Sequence, residues 1–485
     1  CACHRLVNVM EHNTIPSLTL CVAVIIDLFP NHHNNHHRNT RHYRYLPSTE
    51  PHKENQDDLS ITLKFAGEQG DAMFAVYDGH GTDGHVCAKY AKQRLPKSIA
   101  KHIRQRRVQR YQADLKAAGK STKGSWDPSS WPMLDVEDYE ACCLKSYIEV
   151  NKAMHDDDAV PDKLSGTTAT AVSFHGGRMT VCNVGDSRVV VGHRLKRKPD
   201  EEEKVEIDNE EEEEKVEIDG GYGASHAYPM GMPSFAKKSG GELLALPLTR
   251  DQTPYRKDER ERVRKLGAEI KSIDQMEDRE PMHDNWGDLV LGKEVDIHGD
   301  PPRVWVKGNN YPGTAFTRSL GDRLAEDIGV IAKPEIITRE LTANDEYLVV
   351  ASDGVFEFLT NQQVIEMCDQ CENPLQACEL LVKAAYDKWL VHERRTDDIT
   401  VIVLFLESKH RPKGDVTGTT ADMVKNPNAM YGMDQAASSK LLTSEGRAGV
   451  RASAAASNDT SDDPLATESG IKPQSLDEIP ETNPN

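Results

Sequence analysis

Two stretches of this chain share one pattern, and the rest of the chain is organised around it. Ala72-Met-Phe-Ala-Val-Tyr77 is an unbroken apolar run that ends on Asp78-Gly-His-Gly81, and Tyr347-Leu-Val-Val-Ala351 runs through Ser352 into Asp353-Gly354. A short continuous apolar run bounded by turn residues reads as a strand covered on both faces, although periodicity alone does not separate it from a buried helix segment. Glycines do not continue such a strand comfortably, so the acids and His80 are expected at its mouth. A third stretch, Thr396-Asp-Asp-Ile-Thr-Val-Ile-Val-Leu-Phe-Leu406, reverses the order and sets its acids directly before the apolar run. Taken singly, each Asp-Gly is most simply a turn. Their recurrence at strand ends is the signal.

Charge and cysteine usage narrow the class. The 485 residues carry a net charge of −20, which argues against a nucleic-acid binder. About half of that charge sits in residues 201–219, where 12 acids meet two lysines. There Glu201-Glu-Glu-Lys-Val-Glu-Ile-Asp208 recurs as Glu212-Glu-Glu-Lys-Val-Glu-Ile-Asp219, too short a period for a solenoid unit. It reads as a duplicated acidic insertion spanning about 196–240, without chemistry of its own. The ten cysteines are scattered, and in a chain of this length they read as reduced thiols, implying an intracellular protein of cytoplasm or nucleus. Cys368-x-x-Cys371 lacks a second Cys/His pair nearby and is expected as helix-core thiols rather than a zinc site.

Domain organisation follows from composition. Residues 1–50 read as an appendage. Their apolar piece, Ile15–Phe29, contains Asp27 and is shorter than a spanning helix requires, which leaves a signal-peptide core or a tail packed on something. The cluster His32, His33, His36, His37 sits in an Asn-rich polar tract. Regular structure is expected from 51 to 407. It begins with a half-buried strand at Leu59–Phe65 and continues with helices over Gly84–Ile99 and Tyr139–Met154. Residues 101–124 are rich in Lys and Arg, either a solvated helix face or a docking patch for an acidic partner. Strands are expected at Ser165–Phe174, Met179–Val184 and Val189–Val191, with Gly185-Asp186-Ser-Arg188 as the turn between the last two. After the insertion come a charged helix over Asp258–Lys265, a loop-rich region at 274–312, a strand at Glu335–Thr338, and helices over Asn361–Cys371 and Pro374–Trp389. Residues 408–485 read as a disordered tail.

Four acids thus stand at strand ends, Asp57, Asp78, Asp353 and Asp397, and two more, Asp186 and Asp322, lie in Gly-Asp turns. Hard divalent cations such as Mg²⁺ and Mn²⁺ take oxygen ligands of this kind. Two of them, roughly 3.5–4 Å apart, need a bridging carboxylate and flanking ones, and would activate a water for in-line attack on a phosphoryl group. A histidine beside one ligand can protonate the leaving oxygen. On these residues alone, metal-dependent hydrolysis is the chemistry and the substrate stays open.

Six segments then carry a resemblance. Phe-Ala-Val-Tyr-Asp-Gly-His-Gly, Ser-Gly-Thr-Thr-Ala, Val-Gly-Asp-Ser-Arg, Ala-Phe-Thr-Arg-Ser-Leu-Gly-Asp, Val-Ala-Ser-Asp-Gly-Val-Phe-Glu and Asp-Asp-Ile-Thr-Val, spread in this order between about 51 and 406, resemble the motifs of the metal-dependent protein Ser/Thr phosphatases of type 2C. The resemblance implies an α+β fold, a central sandwich of two antiparallel β-sheets flanked by α-helices, and a binuclear Mg²⁺ or Mn²⁺ site at one end. It implies that Asp78 bridges both metals, that Gly79 offers its carbonyl, that Asp353 and Asp397 ligate directly and that Asp57 holds a metal through water. His80 is then the general acid. Asp186 and Asp353 suggest a third, weaker metal, whose usual third ligand is Asp where this chain has Glu357. Many members carry an Arg for the substrate phosphate five residues before Asp57. Here that position is His52, and Lys53 beside it is the candidate replacement, a point charge without the bidentate fork of Arg.

The expected function is hydrolysis of phosphoserine and phosphothreonine in proteins by a monomer with neither a membrane span nor a nucleic-acid partner. The alternatives are a pseudophosphatase acting as a binding scaffold and a membrane-tethered sensor resting on residues 15–29 alone.

Overall fold

The computed structural model describes residues 55–67, 70–122, 131–195, 241–283, 285–286, 292–293, 300–393 and 395–407, together with the backbone of 13–15 and 18–26. His52, Lys53, the histidine cluster and the acidic insertion lie outside them. So does the 408–485 tail.

Seventeen strands and eight α-helices are described, besides a 3₁₀ turn at Phe65–Gly67. In chain order the strands are β1 (Asn13–Ile15), β2 (Leu18–Ile26), β3 (Asp58–Leu63), β4 (Ala72–Tyr77), β5 (Gly79–His80), β6 (Gly166–Thr167), β7 (Ala169–His175), β8 (Arg178–Val184), β9 (Arg188–Arg194), β10 (Leu243–Pro247), β11 (Ala268–Lys271), β12 (Arg303–Val306), β13 (Pro312–Thr314), β14 (Leu320–Gly321), β15 (Glu335–Glu340), β16 (Asp345–Ala351) and β17 (Thr400–Glu407). The helices are α1 (Gly84–Ala117), α2 (Val136–His155), α3 (Lys257–Lys265), α4 (Ile273–Met276), α5 (Arg323–Glu326), α6 (Asp353–Phe356), α7 (Asn361–Asp369) and α8 (Pro374–His392).

Two antiparallel sheets dominate: β15-β8-β7-β4-β3 and β1-β2-β17-β16-β9-β10. Strand β4 of the first packs on β16 and β17 of the second, while α1 and α2 cover the first sheet and α7 and α8 the second. This explains the unbroken apolar runs. Met73, Ala75 and Tyr77 belong to the core shared with α1 and α2, so Phe74 and Val76 take the opposite face of the strand. Likewise Val349 and Ala351 of β16 and Val401 and Val403 of β17 face α7 and α8, leaving Leu348, Val350, Ile402 and Leu404 for the inside of the sandwich. With neither face in water, alternation has no reason to appear. Each fully buried side chain of this size contributes about 1.5–3 kcal/mol.

Of the options left for the apolar piece of residues 1–50, the pairing matches a tail packed on something: β2 pairs antiparallel with β17 from Ile26↔Thr400 to Thr19↔Glu407 and so joins the second sheet. One expectation needs correction. The loop-rich region at 274–312 contains β12 and reaches into β13, which with β11 form a separate three-stranded sheet. Four-residue strands are too short to register as a period. The basic stretch continues α1 to Ala117, and most of its described Lys and Arg residues are exposed, as on a solvated helix face, while some of its arginines also make internal ties. Arg107 is buried and donates to the carbonyls of Trp131 and Pro132, while Arg106 and Arg110 pair with Asp138 at 2.6 and 2.5 Å. Among the described residues seven cysteines are buried, and Cys368 and Cys371 lie in the core that α7 and α8 share with the second sheet.

Candidate active site

Antiparallel register carries the predicted acids to one end of the sandwich. Asp58 opposes Tyr77, Val76 opposes Thr170 and Ala169 opposes Val184, which aligns Asp57, Asp78 and the Asp186 turn. In the second sheet Ala351 opposes both Arg188 and Val401, so the chain leaves β16 for Asp353 where it enters β17 after Asp397. The motif residues between them tie these ends together. The Asp78 N–H donates to Thr168 Oγ1 at 3.0 Å, Thr168 N–H returns a bond to the Asp78 carbonyl at 2.8 Å, and Thr168 Oγ1 lies 2.8 Å from Ser187 Oγ. Ser352 Oγ donates to Asp57 Oδ2 at 2.8 Å and accepts from the Thr400 N–H at 3.0 Å.

Gly79 admits no side chain. A Cβ there would lie 2.5 Å from the carbonyl oxygens of both Gln56 and Gly84. Gln56 closes the same corner, its N–H donating to Asp398 Oδ2 at 2.8 Å and its Nε2 to the Gly81 carbonyl at 2.7 Å.

The electrostatics are those of carboxylates crowded together. Burial pushes Asp78 well above the carboxylate range, and Asp57, Asp353, Asp397 and Asp186 push it further. Burial likewise raises Asp353, with Asp186, Asp397 and Glu357 adding, while a hydrogen bond with Asp78 opposes the rise. Asp57 is pushed up to about 7 by burial and then by Asp398. Asp186 reaches about 6 through burial and Asp251, with His80 and Arg188 opposing. Arg188 is itself engaged bidentately by Asp251, at 2.7 Å to each oxygen. Glu357 is exposed at the end of α6, within electrostatic reach of Asp353 and Arg188.

These donors fit a hard cation. Several half-buried or buried carboxylates raise one another, and Asp57 Oδ1 is buried without a hydrogen-bond partner, a costly arrangement unless a positive charge shares the space. A second carboxylate cluster, Asp258, Glu259 and Glu335, brings its oxygens within 4.8 Å of one another. Its charge is already met by Arg256, Arg262 and Arg318. Although burial raises Glu259, Arg318 first, then Arg262 and Arg256, hold its carboxyl far below the usual range. That cluster is an ion-pair network of the fold.

His80 stands beside the acids on a separate element. Strands β5, β6 and β14 form a small sheet in the order β14-β6-β5, so Asp-Gly-His-Gly, Ser-Gly-Thr-Thr and Ser-Leu-Gly-Asp meet there. His80 Nε2 lies 2.5 Å from Asp322 Oδ2, and Phe316 sits against the imidazole with ring centroids 4.2 Å apart. Asp322 was legible as a Gly-Asp turn acid, but its partner was not. Gln56 was missed outright, and Thr168, Ser352 and Asp398 stood inside the quoted motifs without a role, since hydrogen bonds that orient a neighbour leave no mark on hydrophobic period.

Known proteins agree with this architecture. The sequence profile of the family described as Protein phosphatase 2C matches residues 48–225 and 237–392. An Arabidopsis thaliana relative named Probable protein phosphatase 2C 35 is 35% identical over 361 residues, covering 74% of this chain and 80% of its own. A second from the same plant, Probable protein phosphatase 2C 61, is 27% identical over 367 residues, covering 75% and 83%. Among solved structures, the serine-threonine phosphatase 2C from Toxoplasma gondii shares the fold at a TM-score of 0.51 and 14% identity, over 84% of this chain and 99% of that one. The chain belongs to the protein phosphatase 2C family and is a protein serine/threonine phosphatase.

Proposed function

We propose that this chain hydrolyses phosphoserine and phosphothreonine esters in proteins with two Mg²⁺ or Mn²⁺ ions held by Asp57, Asp78, Asp353, Asp397 and the Gly79 carbonyl. The observation that carries this reading is the convergence of these acids at one end of the sandwich, where they raise one another's pKa and Asp78 touches Asp353. Bound there, the cations would supply a nucleophilic water at neutral pH and offset the charge that grows on the phosphoryl group.

The protein's own groups do the rest. Asp78 and Asp353, at adjoining strand ends, fix where the cations would sit and so where the phosphoryl group would rest. Thr168 and Ser352 lock the backbone and the carboxylate that orient it. His80 delivers a proton to the departing Ser or Thr oxygen, its ring steadied by Phe316. Asp186, Asp353 and Glu357 form a weaker third site. Glu reaches one methylene farther than Asp, so the third ion is held less tightly. Lys53, with His52 beside it, takes the substrate phosphate as a point charge. A KM unchanged by Lys53→Ala removes Lys53 from that role.

The deciding experiment is phosphate release from a phosphothreonine peptide titrated with Mn²⁺, for the wild type beside Asp78→Asn. Metal-dependent turnover lost on that single change supports the reading. A folded wild type without turnover at any metal concentration refutes it and leaves a binding scaffold.

A further inference from the structure

The His80–Asp322 contact is built with more care than a surface tie requires. The Asp322 carboxylate is 2% exposed, and its backbone is left-handed at φ 50 and ψ 45, a region that only Asn, Asp and a few other non-glycine residues enter readily. Four hydrogen bonds hold the turn there. Gly321 N–H donates to Asn151 Oδ1 at 2.8 Å, Asp322 N–H to the Ser165 carbonyl at 2.9 Å, Arg323 N–H to that of Asp162 at 3.0 Å and Leu324 N–H to that of Lys163 at 3.1 Å. Room for the carboxylate exists only because residue 166 is glycine: a Cβ there would lie 2.1 Å from Asp322 Oδ2.

We infer that Asp322 is a positioning residue for the phosphatase reaction, accepting the Nε2 proton of His80 and thereby leaving Nδ1 to serve the leaving oxygen. This rests on the reading of His80 as the general acid. A carboxylate is an acceptor only, so the nitrogen facing it carries a hydrogen. With Nε2 committed, Nδ1 is the nitrogen that moves a proton. As the bond from phosphorus to the Ser or Thr oxygen breaks, its electron pair stays on that oxygen and the Nδ1 proton neutralises it. The attacking water becomes the new phosphate oxygen, and the proton it sheds restores Nδ1 through solvent. Phe316 blocks ring rotation from one side and Asp322 anchors the far edge.

The test separates proton delivery from structure by the leaving group. An alkoxide needs the proton, whereas p-nitrophenolate departs without it. Asp322→Asn keeps the shape but removes the charged acceptor. It is expected to lower kcat on a phosphothreonine peptide by about tenfold to a hundredfold, within the range for general acid catalysis, with KM unchanged and p-nitrophenyl phosphate turnover nearly kept. His80→Ala should show the same split, and the double variant should be no worse than His80→Ala alone. If His80→Ala slows both substrates alike, the general-acid reading fails and this inference with it. If His80→Ala spares the aryl ester while Asp322→Asn slows both equally, only the role of Asp322 is lost. A measurement on the wild type does not depend on how the variant folds. With ¹⁵N-labelled histidine, the proton on His80 should be found on Nε2, strongly downfield and slow to exchange. A His80 ring bearing its lone hydrogen on Nδ1 overturns the assignment.

Discussion

His155 closes α2 with a clasp whose strength should depend on pH. Its Nδ1 lies 2.5 Å from Asp162 Oδ2 and its Nε2 3.1 Å from Glu326 Oε2, so two acids from two different segments hold one imidazole. The hydrogen bond to Asp162, then that to Glu326, raises the pKa from 6.5 to about 9, against burial. A rise of that size corresponds to roughly 3 kcal/mol. Glu326 is 30% exposed and water screens its share, which brings the expected contribution to about 2 kcal/mol. Because the folded pKa lies above the unfolded one, the stabilisation is complete below about pH 6.5 and is lost as pH rises through about 9. Urea denaturation of the wild type and His155→Gln should therefore differ by about 2 kcal/mol near pH 6 and by a few tenths near pH 9.5. Gln cannot charge but keeps a polar tip, so the pH-dependent part is isolated. An equal difference at both pH values would refute the reasoning, since packing alone does not titrate.

Three more outcomes are expected. Glu259→Gln leaves Arg256, Arg262 and Arg318 facing one another without their shared acid, and should cost about 3–5 kcal/mol in urea; an unchanged midpoint would mean the network is idle. Deleting residues 1–50 removes β2 and bares the edge of β17, so the shortened chain should melt earlier and aggregate on heating. A melting curve that matches the full chain contradicts the pairing. Mn²⁺ at a hundredfold over its Kd should stabilise the fold by about 2.7 kcal/mol, and Asp78→Asn should lose most of that response. A variant that keeps all of it would put the cation elsewhere.

Legibility in the sequence followed how each residue does its work. Asp78 and Asp353 were readable because they interrupt apolar runs, and burial on both faces makes such runs unmistakable. The helices were readable where one face is buried, as over Val136–His155, where Asp135 caps the first turn through Asp138 N–H. The pairing of β2 with β17 was not, because its apolar residues are equally those of a targeting segment and register is a property of the partner strand. Arg106, Arg107 and Arg110 looked like solvated charge, since nothing local announces that Trp131, Asp135 and Asp138 will come round to meet them. Asp322 stood out as an acid, yet His80 lies 242 positions away. Sequence spacing cannot report a contact of that range without the fold.

The two chemical tasks of the site are laid on two kinds of scaffold for a physical reason. Carboxylates that repel one another need stiff supports, and β4, β16 and β17, interior strands of their sheets, give them, with both strand faces packed. A proton donor must instead approach the same phosphoryl group from beside it, which demands a sharp departure from the sheet. Gly79 makes that departure: the single residue between Asp78 and His80, it passes so close to Gln56 and Gly84 that no Cβ fits. From there β5 joins β6 and β14, two-residue strands in which Leu320 alone reaches the main core, so their alignment depends on that side chain and on what anchors the Asp322 turn. That anchor is the end of α2, through Asn151 to Gly321 and through His155 to Asp162 and Glu326. The clasp at His155 and the orientation of His80 are therefore parts of one mechanical chain. Loosening the clasp at high pH should disturb proton delivery before it disturbs the carboxylates, because the latter are held by the sandwich and the former depends in part on the turn.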